Sequence, residues 1–432
     1  MQLFPHQVEA TNWLALQKRA GLFDEQGLGK TAAAITAAAR IGGRCLVIAP
    51  TVVAHNWARE IGLWAPGDPV QVITSGRTQV DPAARWVVTT HGLLRVLAPR
   101  LRAMRATVLV VDEAHAFKSP QAKRTQALYG ARRTPGLVHG IPHVWLLTGT
   151  PMPNNPVELW THLAALVPER ILAPGTTARA LTWTEFRDRF CVLARSAFTP
   201  DGVKVVGAKN AEELRARMKG FALRRRKREV LNLPPMRWGT MTITGGRLPA
   251  ALESLEAELA GKPVEALAES VHFSTWRRLC GLAKAEPAVE LLAEELEADP
   301  GHRVVVFAHH AEVIDLLTRG LAKFGVVRIT GGQTASDRQA AVLGFQSRGS
   351  VRVAVANIVA GGVGVTLTAA HDVVFVEQSW VPGENAQAAD RCHRIGQQES
   401  VLVRVLALAG SIDEKIADTL ATKSQMIREV IR

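Results

Sequence analysis

The feature that most narrows the fold of this 432-residue chain is a set of short Val-, Ile- and Leu-rich runs that recurs in two blocks. "CLVIAP", "VQVIT", "RWVVTT", "TVLVVDEAH" and "VWLLTGT" fall in the first third, and "HRVVVFAHH", "VVRIT", "VRVAVAN", "HDVVFVE" and "VLVRVLAL" near the end. Short apolar runs of this kind read as buried parallel strands. Ala-rich helical stretches such as "TAAAITAAAR" separate some of them, which is the rhythm of a doubly wound sheet. Two blocks imply two α/β lobes, in keeping with a length above that of one ordinary domain.

Between Thr150 and Arg303 the pattern turns helical, in "NPVELWTHLAAL", "WTEFRDRFCVL", "AEELRARMKGFALRRRKREV" and "PAALESLEAELAG". A plain linker needs far fewer residues, so this region is expected to form helical modules carried on the lobes. The paired prolines of "LNLPPMRWG" oppose helix continuation and mark a break. The expected organisation is a first lobe over residues 1–165, a helical insertion and return segment of that lobe over 166–245, a helical segment of the second lobe over 246–285, and the second lobe with a C-terminal helix over 286–432. This division leaves no length for a histone-reading or nuclease domain.

Composition removes several function classes. Hydrophobic residues at 47% against 21% charged describe a folded chain. Cys45, Cys191, Cys280 and Cys392 lie far apart with no C-x-x-C pair, so neither a zinc site nor a disulfide framework is indicated. No apolar run reaches the roughly 18 residues of a membrane span, and "MQLFPHQVEATNW" lacks the layout of a secretion signal; a cytoplasmic protein without a membrane partner is expected. An Ala- and Arg-rich composition points to a GC-rich prokaryotic or viral genome. With 52 Lys and Arg against 39 Asp and Glu, the formal charge of +13 favours a polyanionic partner, nucleic acid first.

The string "FDEQGLGKTAAAI", from Phe23, follows the phosphate-binding pattern G-x-x-x-x-G-K-[ST] except that Asp24 fills the first glycine's place. A Gly27-Leu28-Gly29 turn between a short strand and a helix points backbone N–H groups at phosphate oxygens. Lys30 adds a positive charge at the β- and γ-phosphates, and the Thr31 hydroxyl a Mg²⁺ ligand. About eighty residues on, "VLVVDEAH" ends a strand in Asp112 and Glu113. One such carboxylate holds Mg²⁺ through water, and its neighbour orients or deprotonates the attacking water.

"LLTGTP", Leu146 to Pro151, follows another strand, where its threonines can couple the nucleotide site to the other lobe. In "QAADRCHRIGQ", spacings of four and three place Gln387, Arg391 and Arg394 on one helical face, from which the two arginines could reach a γ-phosphate held by the other lobe as arginine fingers; a solvated basic helix face is the alternative. "ALRRRKREV" carries five Arg or Lys residues from Arg224 to Arg228, either a phosphate contact or a solvated helix face. Tyr129 is the only tyrosine and the ten tryptophans are scattered, so no stacking platform for single strands is evident. His309 and His310 lack an acidic or Cys partner at ligand spacing and are expected to be loop polar residues.

Taken in order, "LFPHQ", "DEQGLGKT", "APTVVAHNW", "DEAHAFKSPQAKR", "LTGTPMPNNPVELW", "ALRRRKREVLNLPP", "GGVGVTLTAAHDVVFVEQSW" and "QAADRCHRIGQ" resemble the superfamily 2 helicase-like ATPases of the Swi/Snf type. The resemblance runs over nearly the whole chain and is most specific at "LTGTP", "RRRK" and "HRIGQ". Loops of that superfamily keep the G-x-G-K-T half and commonly lack the first glycine. The resemblance implies an α/β fold of two RecA-like parallel-sheet lobes with helical insertions between them, with ATP and Mg²⁺ as cofactors.

Carried onto this chain, it implies Gln7 at the adenine edge, with Gly27, Leu28, Gly29, Lys30, Thr31 and Gln387 around the nucleotide. Lys30, Asp112, Glu113, Arg391 and Arg394 would act in catalysis, and Thr31 and Asp112 on the metal. One DNA strand would lie against Pro50, Thr51, Thr90, His91 and Gly92 on the first lobe. On the second it would meet Gly331, Gly332 and the loop from Ala360 to Gly364, with Gly361 and Gly362. Two departures stand out: Phe4 where a basic residue is usual, and Val381 where asparagine is usual. Gly383 and the short length resemble the HARP-like annealing-helicase branch. The implied activity is that of a monomeric, ATP-driven translocase on double-stranded DNA; a strand-separating DNA or RNA helicase and a nucleotide-regulated nucleic-acid clamp are the alternatives.

Overall fold

In the computed structural model, which describes residues 2–131, 134–196, 199, 202–244, 250–259, 267, 272–361 and 365–430, the apolar runs of the second block are continuous because its central strands feed two cores. Val304, Val306 and Ala308 enter one core and Val305 and Phe307 another; Val353 and Val355 part from Ala354 and Ala356 in the same way, as do Val374 and Val376 from Val373 and Phe375. With both faces covered, no position is left for a polar alternate.

All ten runs form strands. The first sheet contains β1 (Arg19–Leu22), β2 (Cys45–Ala49), β3 (Val70–Ile73), β4 (Trp86–Thr90), β5 (Val108–Asp112), β6 (His143–Leu147) and β7 (Ala222–Leu223), in the spatial order β7-β1-β6-β5-β2-β4-β3. The second contains β8 (Met236–Ile243), β9 (Val304–Ala308), β10 (Val326–Ile329), β11 (Val353–Asn357), β12 (Asp372–Phe375) and β13 (Val401–Leu408), in the order β8-β13-β12-β9-β11-β10. Every neighbouring pair in both sheets is parallel. Helices named below are α1 (Pro5–Leu16), α2 (Lys30–Ile41), α3 (Phe273–Ala298), α4 (Pro382–Ala389) and α5 (Ile412–Val430). No described helix is long and apolar enough to cross a membrane.

The chain divides into two compact units, one built mainly on residues 2–194 and 205–231 and the other on 232–426. That differs from the expected border at 245. Met236–Ile243 forms β8, which pairs along its full length with β13 of the second sheet. As an edge strand it exposes most of its residues, so it lacks the apolar run that marks the other strands. The border expected at 285–286 falls inside α3, a 26-residue helix that contains Pro287.

The middle region is less helical than its sequence implies. "AEELRARMKGFALRRRKREV" ends its helix at Met218, adds the two-residue β7, and resumes as the single turn Lys227–Val230. Pairing of β7 with β1 decides this locally: Gly21 sits opposite Ala222 and Leu22 opposite Leu223. A two-residue strand has no periodicity of its own to read. Cys191–Arg195 and Val203–Ala208 add a two-stranded sheet in the same region.

Candidate active site

In an open parallel sheet, ligands bind beyond the carboxyl ends of the strands. The chain leaves β1 at Leu22, turns through residues 23–29 and enters α2 at Lys30. Gly27 and Gly29 hold left-handed φ values of 84° and 76°. The left-handed backbone favours glycine at position 29, where a Cβ would lie 2.0 Å from Gln7 Nε2 and displace that amide. Gln7 is buried at the edge of this loop: its Oε1 accepts the Phe4 N–H at 3.0 Å and its Nε2 donates to the Leu28 carbonyl at 3.2 Å. His6 Nε2 donates to the same carbonyl at 3.0 Å. Lys30 donates to the carbonyls of Asp24, at 2.7 Å, and Glu25, at 3.2 Å. Burial lowers its pKa, against the opposing pull of Glu113, Asp24 and Asp112. Thr31 occupies the first turn of α2.

Asp24, which replaces the expected glycine, is 2% exposed and carries a charge partner. Arg225 spans its carboxylate, Nε donating to Oδ1 at 3.1 Å and Nη2 reaching Oδ2, while the Arg225 backbone N–H donates to Oδ1 at 2.9 Å. The basic run weighed for phosphate contact is therefore largely engaged within the first unit. Arg224 Nη1 donates to the carbonyls of Phe23 at 2.8 Å and Gly149 at 3.3 Å, Arg225 and Lys227 are buried, and the Lys227 N–H donates to Glu25 Oε2 at 2.8 Å. The cause is the β1–β7 pairing, which runs residues 224–227 alongside residues 23–25. Removing one partner of such a buried pair typically costs about 3–5 kcal/mol.

The acidic pair stands at the end of β5. Asp112 Oδ2 accepts from Trp57 Nε1 at 2.8 Å and Oδ1 from the Glu113 N–H at 3.0 Å. Burial and then the neighbouring Glu113 charge push the Asp112 carboxyl above its usual range. Glu113 itself has φ 46° and ψ 52°, a strained conformation for this residue type that fixes where its side chain starts. Its Oε2 lies 3.3 Å from His115 Nδ1 and 3.5 Å from Thr148 Oγ1, and those two partners are 3.0 Å apart. Burial alone would raise Glu113, but hydrogen bonding and charge from His115, with Lys30 nearby, hold it below its usual range. "LTGTP" thus meets the acidic pair through Thr148. It also meets the loop through Gly149, where a Cβ would lie 2.5 Å from Gln26 Cγ.

His91, assigned to DNA by resemblance, has an inward role as well. Its Nε2 donates to the Asp112 carbonyl at 2.8 Å, and its ring meets Phe117 edge-on at 5.0 Å. Burial pushes its pKa down to about 4, so it is neutral near pH 7. Pro50 and Thr51 follow β2, and Thr90 and Gly92 flank His91 at the end of the adjacent β4; Thr51 and Gly92 are exposed and Thr90 is buried. Sequence reasoning missed the supporting residues Trp57, His115 and Arg225. All three lie inside quoted motifs, but only the β1–β7 pairing reveals that Arg225 of the basic run meets Asp24.

In the second unit, Gly331 and Gly332 are exposed after β10, and Gly361 ends the short helix Ile358–Gly361 after the adjacent β11. Gly362 and the rest of the "AGGVG" loop to Gly364 lie outside the described residues. The expected single helical face is corrected. α4 ends at Ala389, so it carries Gln387, while Arg391 and Arg394 stand in the turns that follow. Arg391 is 4% exposed and its carbonyl accepts the Leu367 N–H at 2.8 Å; Arg394 Nη1 donates to Thr366 Oγ1 at 3.2 Å. Gln397 staples these turns, its Nε2 donating to the carbonyls of Ala370 and Cys392 at 2.9 Å each. His310 does have an acidic partner, which sequence spacing concealed: its Nδ1 lies 2.6 Å from Glu377 Oε1, 67 residues away.

A SNF2-related domain model matches residues 6–244, and a helicase conserved C-terminal domain model matches residues 287–396. The chain belongs to the SNF2-related family. By that membership it is a helicase-like, ATP-hydrolysing enzyme. A Caenorhabditis elegans "SWI/SNF-related matrix-associated actin-dependent regulator of chromatin subfamily A-like protein 1 homolog" is 30% identical, over 99% of this chain and 62% of its own length. The mouse "DNA annealing helicase and endonuclease ZRANB3" is 32% identical, over 93% of this chain and 38% of its own. The SNF2-related chain thus spans less than two thirds of these curated relatives. Among solved structures, the "Sulfolobus solfataricus SWI2/SNF2 ATPase core in complex with dsDNA" is similar, with 24% identity, a TM-score of 0.46 and coverage of 100% of this chain and 93% of that one.

The donor set suits a nucleotide triphosphate with Mg²⁺. Left-handed glycines lead into the N-terminus of a 12-residue helix beside a half-buried ammonium, and a carboxylate pair lies within Coulombic reach of that ammonium.

Proposed function

We propose that this chain is an ATP-driven translocase on double-stranded DNA. The observation that carries the reading is the acidic pair with Lys30: Asp112 is oriented by Trp57, Glu113 is held ionised by His115, and both act on the charge of the loop lysine. Gly27, Leu28, Gly29, Lys30 and Thr31 would hold the phosphates, Gln7 the adenine edge, and Thr31 and Asp112 the metal. Bound Mg²⁺ would supply charge neutralisation at the β- and γ-phosphates. Glu113 accepts a proton from the attacking water, and His115 with Thr148 keeps its carboxylate in place. Arg391 and Arg394 supply positive charge to the transition state, and Gln387 joins the nucleotide site. The formal charge of +13 supports binding through DNA phosphates, at Pro50, Thr51, Thr90, His91 and Gly92 and at Gly331, Gly332, Gly361 and Gly362. Hydrolysis then drives closure and opening of the two lobes along one strand.

The test is ATP-driven displacement of a triplex-forming strand beside unwinding of a forked duplex. Triplex displacement without unwinding is the expected result. Unwinding without triplex displacement favours a helicase, and ATP-independent binding with neither activity favours a clamp. Binding should weaken with salt at a log–log slope of about −0.9 per phosphate neutralised.

A further inference from the structure

The position where the phosphate loop departs from its consensus is also where it is gripped most firmly. Arg225 takes both oxygens of Asp24 through Nε and Nη2, and its backbone N–H adds a third bond. The Glu25 N–H donates to the Arg225 carbonyl at 3.0 Å, and the Lys227 N–H donates to Glu25 Oε2 at 2.8 Å. Residues 24 and 25 are therefore held from the side by residues 225–227. Their two carbonyls in turn accept the Lys30 ammonium. Arg225 Nη1 also reaches the His6 carbonyl and, at 3.0 Å, Glu9 Oε2. His6 and Gln7 both bond the Leu28 carbonyl, so one guanidinium connects to the loop near both of its ends.

We propose that Arg225 is a positioning residue of the ATP site: through Asp24 it fixes the carbonyls that set the Lys30 ammonium, and through α1 it steadies Gln7 against Leu28. This rests on the reading of the loop as an ATP site. A glycine at position 24 offers nothing for a guanidinium to hold, whereas a carboxylate gives it two acceptors in matching geometry. The aspartate is then a functional replacement, and restoring the consensus harms the enzyme.

The experiment measures the dissociation constant of a fluorescent ATP analogue, the KM and kcat for ATP, and the thermal midpoint in the full chain. D24G, which completes G-x-x-x-x-G-K-T, should weaken nucleotide binding by ~10-fold or more, given how steeply misplaced groups lose effect. The double variant D24G/R225M also removes the buried charge left without its partner, so the thermal midpoint should recover while nucleotide affinity stays low. R225K keeps the positive charge but cannot span both oxygens and the His6 carbonyl. It should fold as the wild type does and raise KM more than it lowers kcat.

Wild-type affinity in R225K, or in the double variant, overturns the inference and leaves the pair as a fold-holding ion bridge. Stronger binding in D24G overturns it too. A K30A variant run in parallel separates the two readings. Wild-type nucleotide binding in K30A rejects the ATP site itself, while lost binding in K30A beside wild-type KM in R225K rejects only the role of Arg225.

Discussion

Each lobe ends a central parallel strand near a carboxylate with a histidine beside it, half-buried in the first and buried in the second, and the two are used differently. After β5, Glu113 has only long contacts, 3.3 Å to His115 and 3.5 Å to Thr148, and a left-handed backbone aims it. After β12, Glu377 is 5% exposed and both of its oxygens are engaged: the His309 and His310 N–H groups donate to Oε2 at 2.8 and 2.9 Å, and His310 Nδ1 lies 2.6 Å from Oε1. A carboxylate with both oxygens held by short hydrogen bonds braces a fold. One with longer contacts, in an oriented position beside a lysine, keeps lone pairs open to accept a proton. Strand-end acidity by itself therefore separates nothing; hydrogen-bond saturation does.

The sharpest way to break this contrast is E113Q. Turnover should fall by about 10²–10⁴-fold while nucleotide affinity persists, because the change removes the proton acceptor and leaves the loop whole. Steady-state phosphate release beside equilibrium binding checks it. Near wild-type turnover would make Glu113 a brace like Glu377.

Next in size, R391A and R394A should each slow hydrolysis by ~10²-fold or more, with DNA affinity largely kept, since their charge is needed only in the transition state. Full activity in the double variant would remove the second lobe's arginines from the chemistry.

E377A should spare nucleotide binding and lower the second lobe's thermal midpoint, at a cost of about 1–3 kcal/mol for each buried N–H left without an acceptor. Weakened nucleotide binding with unchanged thermal stability would reverse the assignment.

The smallest expected effect is on pH. Burial would raise Glu377, but His310 and the two backbone N–H groups hold it below its ordinary range. Burial is likewise outweighed at Asp372 by His302 and Arg404. A depressed carboxyl adds stability above its unfolded value, about 4, and loses it as pH falls through the lower folded value. Acid unfolding of the second lobe should therefore begin below about pH 4, and E377A should flatten it. Unfolding curves between pH 2 and 6 measure this; identical slopes would show that Glu377 contributes no linkage.

Ten strands, the glycine loop and the acidic pair were legible in the sequence. Each is a contiguous stretch whose chemistry is complete within a few residues: a run covered on both faces must be apolar, and a phosphate turn needs its glycines in order. Tertiary structure decided the rest. The end of α4 before Arg391 depends on packing against residues 366–367, where helical spacing alone predicted one face. Trp57, in the helix after β2, and Thr148, just after β6, reach the acidic pair because both strands run parallel to their neighbour β5 and end on the same side of the sheet. Asp24 meets Arg225 across 201 residues because a two-residue strand pairs with β1. Strand pairing depends on which backbone lies alongside which, and periodicity along a single segment carries no record of its partner.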